Sequence, residues 1–387
     1  MNGWTKEQIE HMKTALRLAR RGWGLASPNP MVGAVVAKGK RVVGTGWHTG
    51  PGQPHAEAAA LLEAGRKAKG ADLYVNLEPC NHYGRTSPCT EAIIRAGIDR
   101  VFYGVPDPNS VASGGASTLA EAGIEAQGGL LAEECFNLNL FFFKWILTKT
   151  PFVILKTAAS LDGKTATSTG QSQWISSKAA RNFGHHIRAG VDAVLVGRNT
   201  AEKDDPELSA RPWGRRKMHR QPWRVVLDPS LKLPLKRKIF DPALGGPTVV
   251  VCAQGAAEAK MAKITGLGHK VLVAPTTPAG LISIRGVMEE LGREGLQSVL
   301  IEPGATLAAS ALVDEPVVDL AHLFLAPKFI GGVKAPGVIG GLGRPELADA
   351  PEAEILKLGR KGPDIHIVMR PQGAFGGAAD LERLFQK

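Results

Sequence analysis

The chain has 387 residues, 44% of them hydrophobic, and a formal net charge of +11. This length predicts two or three domains. The N-terminus is polar and no run of about 18 apolar residues occurs, so we expect a cytoplasmic protein without a signal peptide or a membrane partner. The positive charge favours an anionic partner, either a nucleic acid or a phosphorylated small molecule.

The chain contains four cysteines: Cys80, Cys89, Cys135 and Cys252. Four are too few for a disulfide framework in a chain of this length. Cys135 lies in a predicted helix and Cys252 ends a predicted strand, and free cysteines of this kind are among the most buried residues. We interpret these two as core thiols, which leaves Cys80 and Cys89 as candidates for chemistry.

The first part of the chain alternates helices and strands. The capping-box spacing of Thr5 and Gln8 begins an amphipathic helix, and two apolar segments around "KGK" then predict a hairpin. A helix follows Pro54, and strands are predicted at 72–78 and 100–105, with a helix between them and another after them. The resulting order is αββαβαβα. Its mostly apolar strands predict a sheet covered on both faces.

A helical segment at 132–147 leads to a domain boundary near Lys149. The predicted domains are therefore residues 1–148 and 149–387. Strands are predicted in the second domain at 152–159, 192–197, 223–228, 248–253, 270–274, 298–302, 321–326 and 365–370, and helices at 177–189, 284–294 and 305–313. This alternation predicts a second α/β domain.

Two short motifs combine a histidine, a glutamate and two cysteines: "HAE" at 55–57 and "PCNHYGRTSPC" at 79–89. His55, Cys80 and Cys89 provide the three protein ligands that are typical of a catalytic zinc site with an open fourth position. Cys89 lies in the first turn of a predicted helix, where a thiolate is stabilised. Glu57 matches the glutamate of nucleobase deaminases, which is not a ligand and transfers protons.

A structural zinc site, or no metal at all, is the alternative for these residues. A structural site usually recruits a fourth cysteine or histidine, and His82 is the nearby candidate. The H-x-E motif followed by P-C favours a catalytic site instead. The second cysteine departs from the nucleobase-editing pattern P-C-x-x-C, because eight residues separate Cys80 from Cys89.

Three segments, "SPNPMVGAVV" (27–36), "HAE" and "LEPCNHYGRTSPC" (77–89), together resemble the deaminase half of the bifunctional riboflavin-biosynthesis deaminase/reductase family. The resemblance implies a three-layer, cytidine-deaminase-like α/β domain that binds zinc. It also implies hydrolytic deamination of a diaminopyrimidinone that carries a ribosylamino 5'-phosphate. Asn29 would contact the ring or the ribose, with a plain turn residue as the alternative, and Arg85 and Thr86 would hold the phosphate or ring polar groups.

The second half of the chain resembles the reductase half of the same family. The motifs are "LKTAASLDGKTAT" (155–167), "GQSQWIS" (170–176), "AVLVGRNTAEKDDPELSAR" (193–211) and "EPGATLAASALV" (302–313). The resemblance implies a dihydrofolate-reductase-like α/β domain that reduces the ribosyl chain with NADPH, and it suggests a homo-oligomer. The implied substrate contacts are Ser172, Arg188, Leu208, Arg211 and Glu302, and the implied NADPH contacts are Ala158, Trp174, Thr200, Asp204, Gly304, Ala305, Thr306, Leu307, Ala308, Ala309 and Ser310. Independently of the resemblance, "EPGATLA" joins a predicted strand to a helix, where backbone N–H groups bind anions.

A nucleic-acid-editing deaminase with an RNA-binding second domain is the alternative function. The stretch "RPWGRRKMHRQPWR" (211–224) has the tryptophans and cations of an RNA-binding segment. It interrupts a predicted domain, so we interpret it as an exposed loop near anionic ligands. The cysteine spacing and the reductase motifs favour a small-molecule enzyme without a nucleic-acid partner.

No compelling general acid for the reduction is apparent, and Lys156 is the candidate polar partner.

Overall fold

The structure, a computed structural model, describes residues 3–84, 87–211 and 220–386. Its contacts divide the chain into two compact units, residues 1–148 with 376–387 and residues 149–375. Most of the basic stretch at 211–224 lies outside the described residues. None of the described helices combines the length and the apolar character that crossing a membrane requires.

The first unit is a five-stranded sheet with helices on both faces. The strands run in the order β2-β1-β3-β4-β5, with antiparallel pairs from β2 to β3 and parallel pairs from β3 to β5. Its elements are α1 (Lys6–Ala19), β1 (Gly33–Lys38), β2 (Arg41–Trp47), α2 (Ala56–Ala64), β3 (Asp72–Leu77), α3 (Cys89–Ala96), β4 (Arg100–Val105), α4 (Gly115–Glu121), β5 (Glu125–Gln127), α5 (Ala132–Leu138) and α6 (Leu140–Thr148). The predicted capping box of Thr5 and Gln8 and the predicted hairpin are confirmed.

Glycines in β2 allow α2 to lie directly on the sheet. A Cβ atom at Gly44 would lie 2.2 Å from the Ala60 carbonyl oxygen, and one at Gly46 would lie 2.1 Å from that of Ala56. The glycine spacing of "GTGWHTG" is typical of a turn, but Gly44 and Gly46 lie within the strand. Their role is close approach of the helix that carries the "HAE" motif, because only glycine leaves room for the backbone of α2.

The second unit is a nine-stranded sheet in the order β10-β9-β8-β7-β11-β6-β12-β14-β13. The seven strands from β10 to β12 are parallel, and β14 and β13 add an antiparallel edge. The elements are β6 (Phe152–Ser160), α7 (Lys178–Gly190), β7 (Ala193–Gly197), α8 (Arg198–Lys203), β8 (Trp223–Leu227), β9 (Thr248–Ala253), α9 (Glu258–Gly266), β10 (Lys270–Ala274), α10 (Ile284–Arg293), β11 (Ser298–Ile301), α11 (Ala305–Ala309), β12 (Leu320–Ala326), β13 (Ala353–Lys361) and β14 (Asp364–Pro371).

All eight strands predicted for the second unit are present, whereas α8, α9 and β13 were not predicted. The predicted helix at 305–313 is a short α-helix continued by a π-helical turn, Ser310–Asp314. The prediction also assigned everything after residue 148 to the second domain. The structure instead groups residues 376–387 with the first unit, where helix α12 (Ala378–Phe385) packs near α5. A short amphipathic helix carries no local signal for the unit with which it packs.

Replacing Gly46 with alanine should displace α2 from the sheet. The new Cβ would meet helix backbone, so we expect the variant to lose about 1–3 kcal/mol of unfolding free energy. It should also lose bound zinc, because α2 carries part of the candidate metal site. Urea denaturation and metal analysis would measure both effects. Gly359→Ala is the control, since a Cβ atom at this strand glycine of β13 would have no neighbouring atom within 4 Å; equal behaviour of the two variants would contradict the prediction.

Candidate active sites

The three predicted zinc ligands meet in the first unit. The Nδ1 atom of His55 lies 3.2 Å from Sγ of Cys89 and 3.4 Å from Sγ of Cys80. All three candidate ligand atoms lie within 4.8 Å of one another, so among the described residues they form a group that could hold a metal ion. His82 does not belong to this group and instead lines the adjoining pocket. The arrangement therefore offers three candidate protein ligands, the number that a catalytic zinc site uses.

Each ligand is held at the end of a secondary-structure element. His55 is the N-cap of α2, Cys89 is the first residue of α3, and Cys80 follows the carboxyl end of β3. Asn81 links the segment after β3 to α3, because its Oδ1 accepts from the Thr90 hydroxyl at 2.9 Å. Its own backbone N–H donates to the Ala112 carbonyl. The ligands thus approach one point from three elements that the sheet fixes.

The electrostatics of the cluster fit a divalent cation. A hydrogen bond from the Cys89 thiol is the main cause that lowers the pKa of Cys80 to about 4, and His55 acts in the same direction. The same contact raises the pKa of Cys89, since a second thiolate would face the first. A cation between the sulfurs removes that repulsion and allows both to ionise. The soft and borderline donors S, S and N are those that zinc prefers.

Glu57 lies beside the ligand cluster but is not part of it. Its side chain is in the first turn of α2 and is buried, with 4% of the residue exposed. Burial is the largest cause that raises the pKa of Glu57 to about 7, and the negative charge of Cys80 adds to it. A carboxyl group whose two protonation states are both accessible near neutral pH is suited to proton transfer.

A pocket of about 510 Å³ opens onto His55, Cys80 and Glu57. Asn29 lines it, and its amide donates to Nε2 of His48 at 3.0 Å, while Nδ1 of His48 donates to the Pro54 carbonyl at 3.2 Å. This pair of contacts fixes the tautomer of His48 and the orientation of the Asn29 amide. The other predicted contact, Arg85, lies outside the described residues, as does Thr86.

Sequence reasoning missed several residues that shape this pocket. The buried Glu78 accepts from the backbone of Asp107 at 3.1 Å and of Ala116 at 2.9 Å, and it thereby ties two loops to the end of β3. His48 was also missed, because a single histidine after a strand has no motif to single it out. Glu78 is the glutamate of "LEPC". Its place next to the cysteine motif was the signal that could have identified it.

In the second unit, the structure brings together predicted substrate residues around an ion pair. Arg188 on α7 contacts Glu302 through two hydrogen bonds, Nε to Oε1 at 3.0 Å and Nη2 to Oε2 at 2.6 Å. Its Nη1 donates to the Ser209 carbonyl at 3.1 Å, next to Leu208, whose φ is +52°. The backbone N–H of Arg211 donates to Nδ1 of His185. Burial would raise the pKa of Glu302, but the nearby Arg188 and Lys156 lower it to about 2.

Predicted cofactor residues lie beside this ion pair, after β7 and β11. Thr200 is on α8, and its hydroxyl lies 3.7 Å from where a Cβ of Gly304 would be. Asp204 is the C-cap of α8 and donates its N–H to the Thr200 carbonyl. Gly304 is the N-cap of α11, which contains Ala305, Thr306, Leu307, Ala308 and Ala309, and Ser310 follows directly. The structure thus joins Thr200, Asp204 and the 304–310 segment.

The remaining predicted residues lie on β6 and on the loop after it. Ala158 pairs with Phe324 of β12. The carbonyl of Ser172 accepts from the backbone of Ile175. Trp174 is 62% exposed, and the Arg181 guanidinium lies over its ring, 4.5 Å from the ring centroid. No contact among the described residues joins Ser172 or the Trp174 ring to the Arg188–Glu302 pair.

Two family models match the two parts of the chain. The model described as the cytidine and deoxycytidylate deaminase zinc-binding region matches residues 5–105. The model described as the RibD C-terminal domain matches residues 151–367, which is more than half of the chain. The predicted zinc ligands and Glu57 fall within the first match, and every predicted reductase residue falls within the second.

Curated relatives and solved structures cover nearly the whole chain. The riboflavin biosynthesis protein RibD of Bacillus amyloliquefaciens is 43% identical over 95% of this chain and 97% of its own length, and that of Escherichia coli K12 is 38% identical over 92% and 98%. The structure of Acinetobacter baumannii RibD, 35% identical, superposes with a TM-score of 0.84 over 95% of this chain and 99% of that one. A Thermotoga maritima diaminohydroxyphosphoribosylaminopyrimidine deaminase/5-amino-6-(5-phosphoribosylamino)uracil reductase, 33% identical, gives 0.81 over 94% and 99%.

Fold, metal-ligand cluster and family matches together define an enzyme of two activities, a zinc-dependent deaminase joined to a reductase. The chain belongs to the RibD family of riboflavin biosynthesis proteins. The expected cytidine-deaminase-like first domain and reductase-type α/β second domain are confirmed. The alternative of a nucleic-acid-editing deaminase is not supported, because the second half matches the RibD reductase domain.

Replacing Cys89 with alanine should remove zinc. The site has three protein ligands, so we expect zinc content to fall from about one ion per chain to less than about one tenth. Deamination should disappear, whereas the reductase of the second unit should keep its activity. Metal analysis of the purified protein would measure the loss. Cys252→Ala is the control, because Cys252 is an equally buried thiol on β9; zinc retention by Cys89→Ala would disprove the ligand assignment.

Proposed function

We propose that the first unit deaminates a diaminopyrimidinone that carries a ribosylamino 5'-phosphate, and that the second unit then reduces the ribosyl chain with NADPH to give the ribitylamino-uracil phosphate. The observation that carries this proposal is the meeting of His55, Cys80 and Cys89 beside the buried Glu57 at a pocket of about 510 Å³. The name of the Thermotoga maritima relative supports the substrate pair. The net charge of +11 suits a phosphorylated substrate.

In the first site, His55, Cys80 and Cys89 would hold zinc, which supplies Lewis-acid activation of water. Glu57 would carry one proton from the attacking water to the ring nitrogen and then a second proton, from the added hydroxyl, to the departing amine. Water adds to the ring carbon that bears the exocyclic amine, and ammonia leaves as the carbonyl forms. Asn29, held by His48, would orient the substrate in the pocket. Arg85 is proposed to contact the substrate phosphate.

In the second site, NADPH supplies a hydride to C1 of the opened ribose. The chain's own residues bind and orient the two reactants. Arg188 and Glu302 form the base of the substrate site, and Lys156 is the adjacent cation whose charge acts on Glu302. Leu208, Arg211 and Ser172 are proposed substrate contacts. The proposed NADPH contacts are Ala158, Trp174, Thr200, Asp204 and the residues from Gly304 to Ser310.

We further propose a deaminase domain and a reductase domain with their boundary near residue 149, as the sequence predicts. Helix α12, which that prediction placed in the reductase domain, is grouped with the first unit. A homo-oligomer in the cytoplasm is expected from the family resemblance. The exposed edge strand β13 supports an oligomer, because Ile355 is 62% and Leu358 is 67% exposed and an unpaired strand edge readily pairs with another chain.

Product analysis of the zinc-loaded enzyme tests the proposal. The diaminopyrimidinone phosphate is supplied with and without NADPH, and ammonia and product masses are followed. We expect deamination without NADPH and ribose reduction once NADPH is added. The Glu57→Gln variant should retain bound zinc and reductase activity. Its ammonia release should fall by about a hundredfold to ten-thousandfold, because a proton-transfer group is lost. Zinc-loaded, folded enzyme that releases no ammonia would sink the deaminase assignment.

The Arg188–Glu302 pair predicts a specific loss in the reductase. Glu302→Gln leaves the part-buried Arg188 guanidinium without its carboxylate, so we expect reductase kcat/KM to fall about thirtyfold or more. Deamination should be unchanged, which shows that the chain still folds. Glu294→Gln is the matched control, since Glu294 forms an exposed ion pair with Lys270. The role of Glu302 would be refuted by a variant with the reductase activity of the wild type.

A further inference from the structure

The loop after β12, residues 327–343, is the glycine-rich loop of the second unit. It contacts the segment after β6 at many points. The backbone N–H of Leu161 donates to Lys328, and that of Val338 donates to Gly163. Lys164 pairs with Gly337 in an isolated β-bridge. The two segments follow neighbouring parallel strands, so they meet at the same edge of the sheet.

Asp162 fastens the beginning of this loop. Its Oδ2 accepts from the backbone N–H of Gly331 at 2.7 Å, and its Oδ1 accepts from that of Ile330 at 3.0 Å. The Ser160 hydroxyl donates to the same Oδ1 at 2.6 Å and orients the carboxylate. The hydrogen bond from Ser160 is the main cause that lowers the pKa of Asp162 to about 2, and those from Ile330 and Gly331 act in the same direction. The Asp162 carboxylate is therefore ionised at neutral pH.

The other end of the loop lies on the proposed cofactor segment. The backbone N–H of Gly340 donates to the Ala305 carbonyl at 3.0 Å, and a Cβ at Gly340 would lie 3.1 Å from that of Ala305. A Cβ at Gly341 would lie 3.2 Å from that of Ala309. Near the start of the loop, Nζ of Lys328 donates to the carbonyl of Trp174 at 2.8 Å. The loop thus contacts three of the residues proposed to bind NADPH.

We propose that Asp162 is a positioning residue for NADPH binding. Its carboxylate accepts hydrogen bonds from the N–H groups of Ile330 and Gly331 and so holds the glycine-rich loop against the residues proposed to bind the cofactor. Asp162 acts through the loop and does not itself touch the cofactor. The inference rests on the proposed NADPH-dependent reduction. It assigns a role to an exposed carboxylate that the deaminase and reductase chemistry does not use.

Asp162→Asn tests the proposal, because the amide keeps one acceptor oxygen and its NH₂ group cannot accept the second backbone N–H. We expect the KM and Kd for NADPH to rise about three- to tenfold with kcat within about twofold, the loss that one charge-assisted hydrogen bond represents. Simple through-space electrostatics predicts the opposite sign, because removing a negative charge should tighten binding of an anionic cofactor. Steady-state kinetics and a fluorescence titration with NADPH would measure both constants.

Two further variants keep the test decisive. Gly340→Ala disturbs the other end of the loop through the Ala305 contact and should raise KM for NADPH in the same way. Asp241→Asn is the control, since Asp241 is another exposed carboxylate that accepts a backbone N–H, from Ala243 at 2.8 Å. Ammonia release by the first unit reports the integrity of each variant. If Asp162→Asn also impairs deamination, Gly340→Ala decides the question.

An unchanged KM for NADPH in both variants, or a fall in kcat at constant KM, would overturn the proposal. A wild-type chain that binds no NADPH would overturn the proposed reductase function and this inference with it. A wild-type chain that binds NADPH no more tightly than Asp162→Asn does would overturn the inference alone. The two failures are therefore distinguishable.

Discussion

The approach of helix α2 to strand β2 across Gly44 and Gly46 is the contact on which the deaminase centre depends. It places the helix backbone where a single methyl group on the strand would collide with it. His55 and Glu57 begin this helix, whereas the two cysteines come from the end of β3 and the start of α3. A metal site requires metal–ligand distances within about 0.2 Å of their usual values. The two glycines therefore help to set the positions of His55 and Glu57.

A different constraint organises the second unit, namely the shared direction of its strands. Since β6, β7, β11 and β12 are parallel, the segments that follow them meet at one edge of the sheet. Glu302 follows β11, α8 follows β7, and the glycine-rich loop follows β12. Ligand sites of open α/β sheets lie at this carboxyl edge. The proposed substrate and cofactor residues, distant in sequence, become neighbours for that reason.

Local signals in the sequence were sufficient for most of the fold and for the three candidate metal ligands that meet in the structure. Periodicity and caps predicted the strands of both sheets, and the two short motifs identified His55, Cys80 and Cys89. Strand β13 escaped because "AEILKLGRK" mixes charged and apolar residues without regular alternation, as an exposed edge allows. The links from Asn29 to His48 and from Asp162 to the glycine-rich loop join residues far apart in the chain, and no local pattern reports such partners.

The two sites balance charge in opposite ways, and this difference explains the chemistry that each can support. Around the first, burial raises the pKa of both Glu57 and Asp107 to about 7, and the thiolate of Cys80 adds to both shifts. A divalent cation at this site would relieve the excess of acidic groups. In the second, Arg188 and Lys156 already compensate Glu302 and keep its pKa near 2. Because Arg188 and Lys156 already compensate Glu302, this pair has no comparable need of a cation, and its fixed charges are suited to orienting reactants.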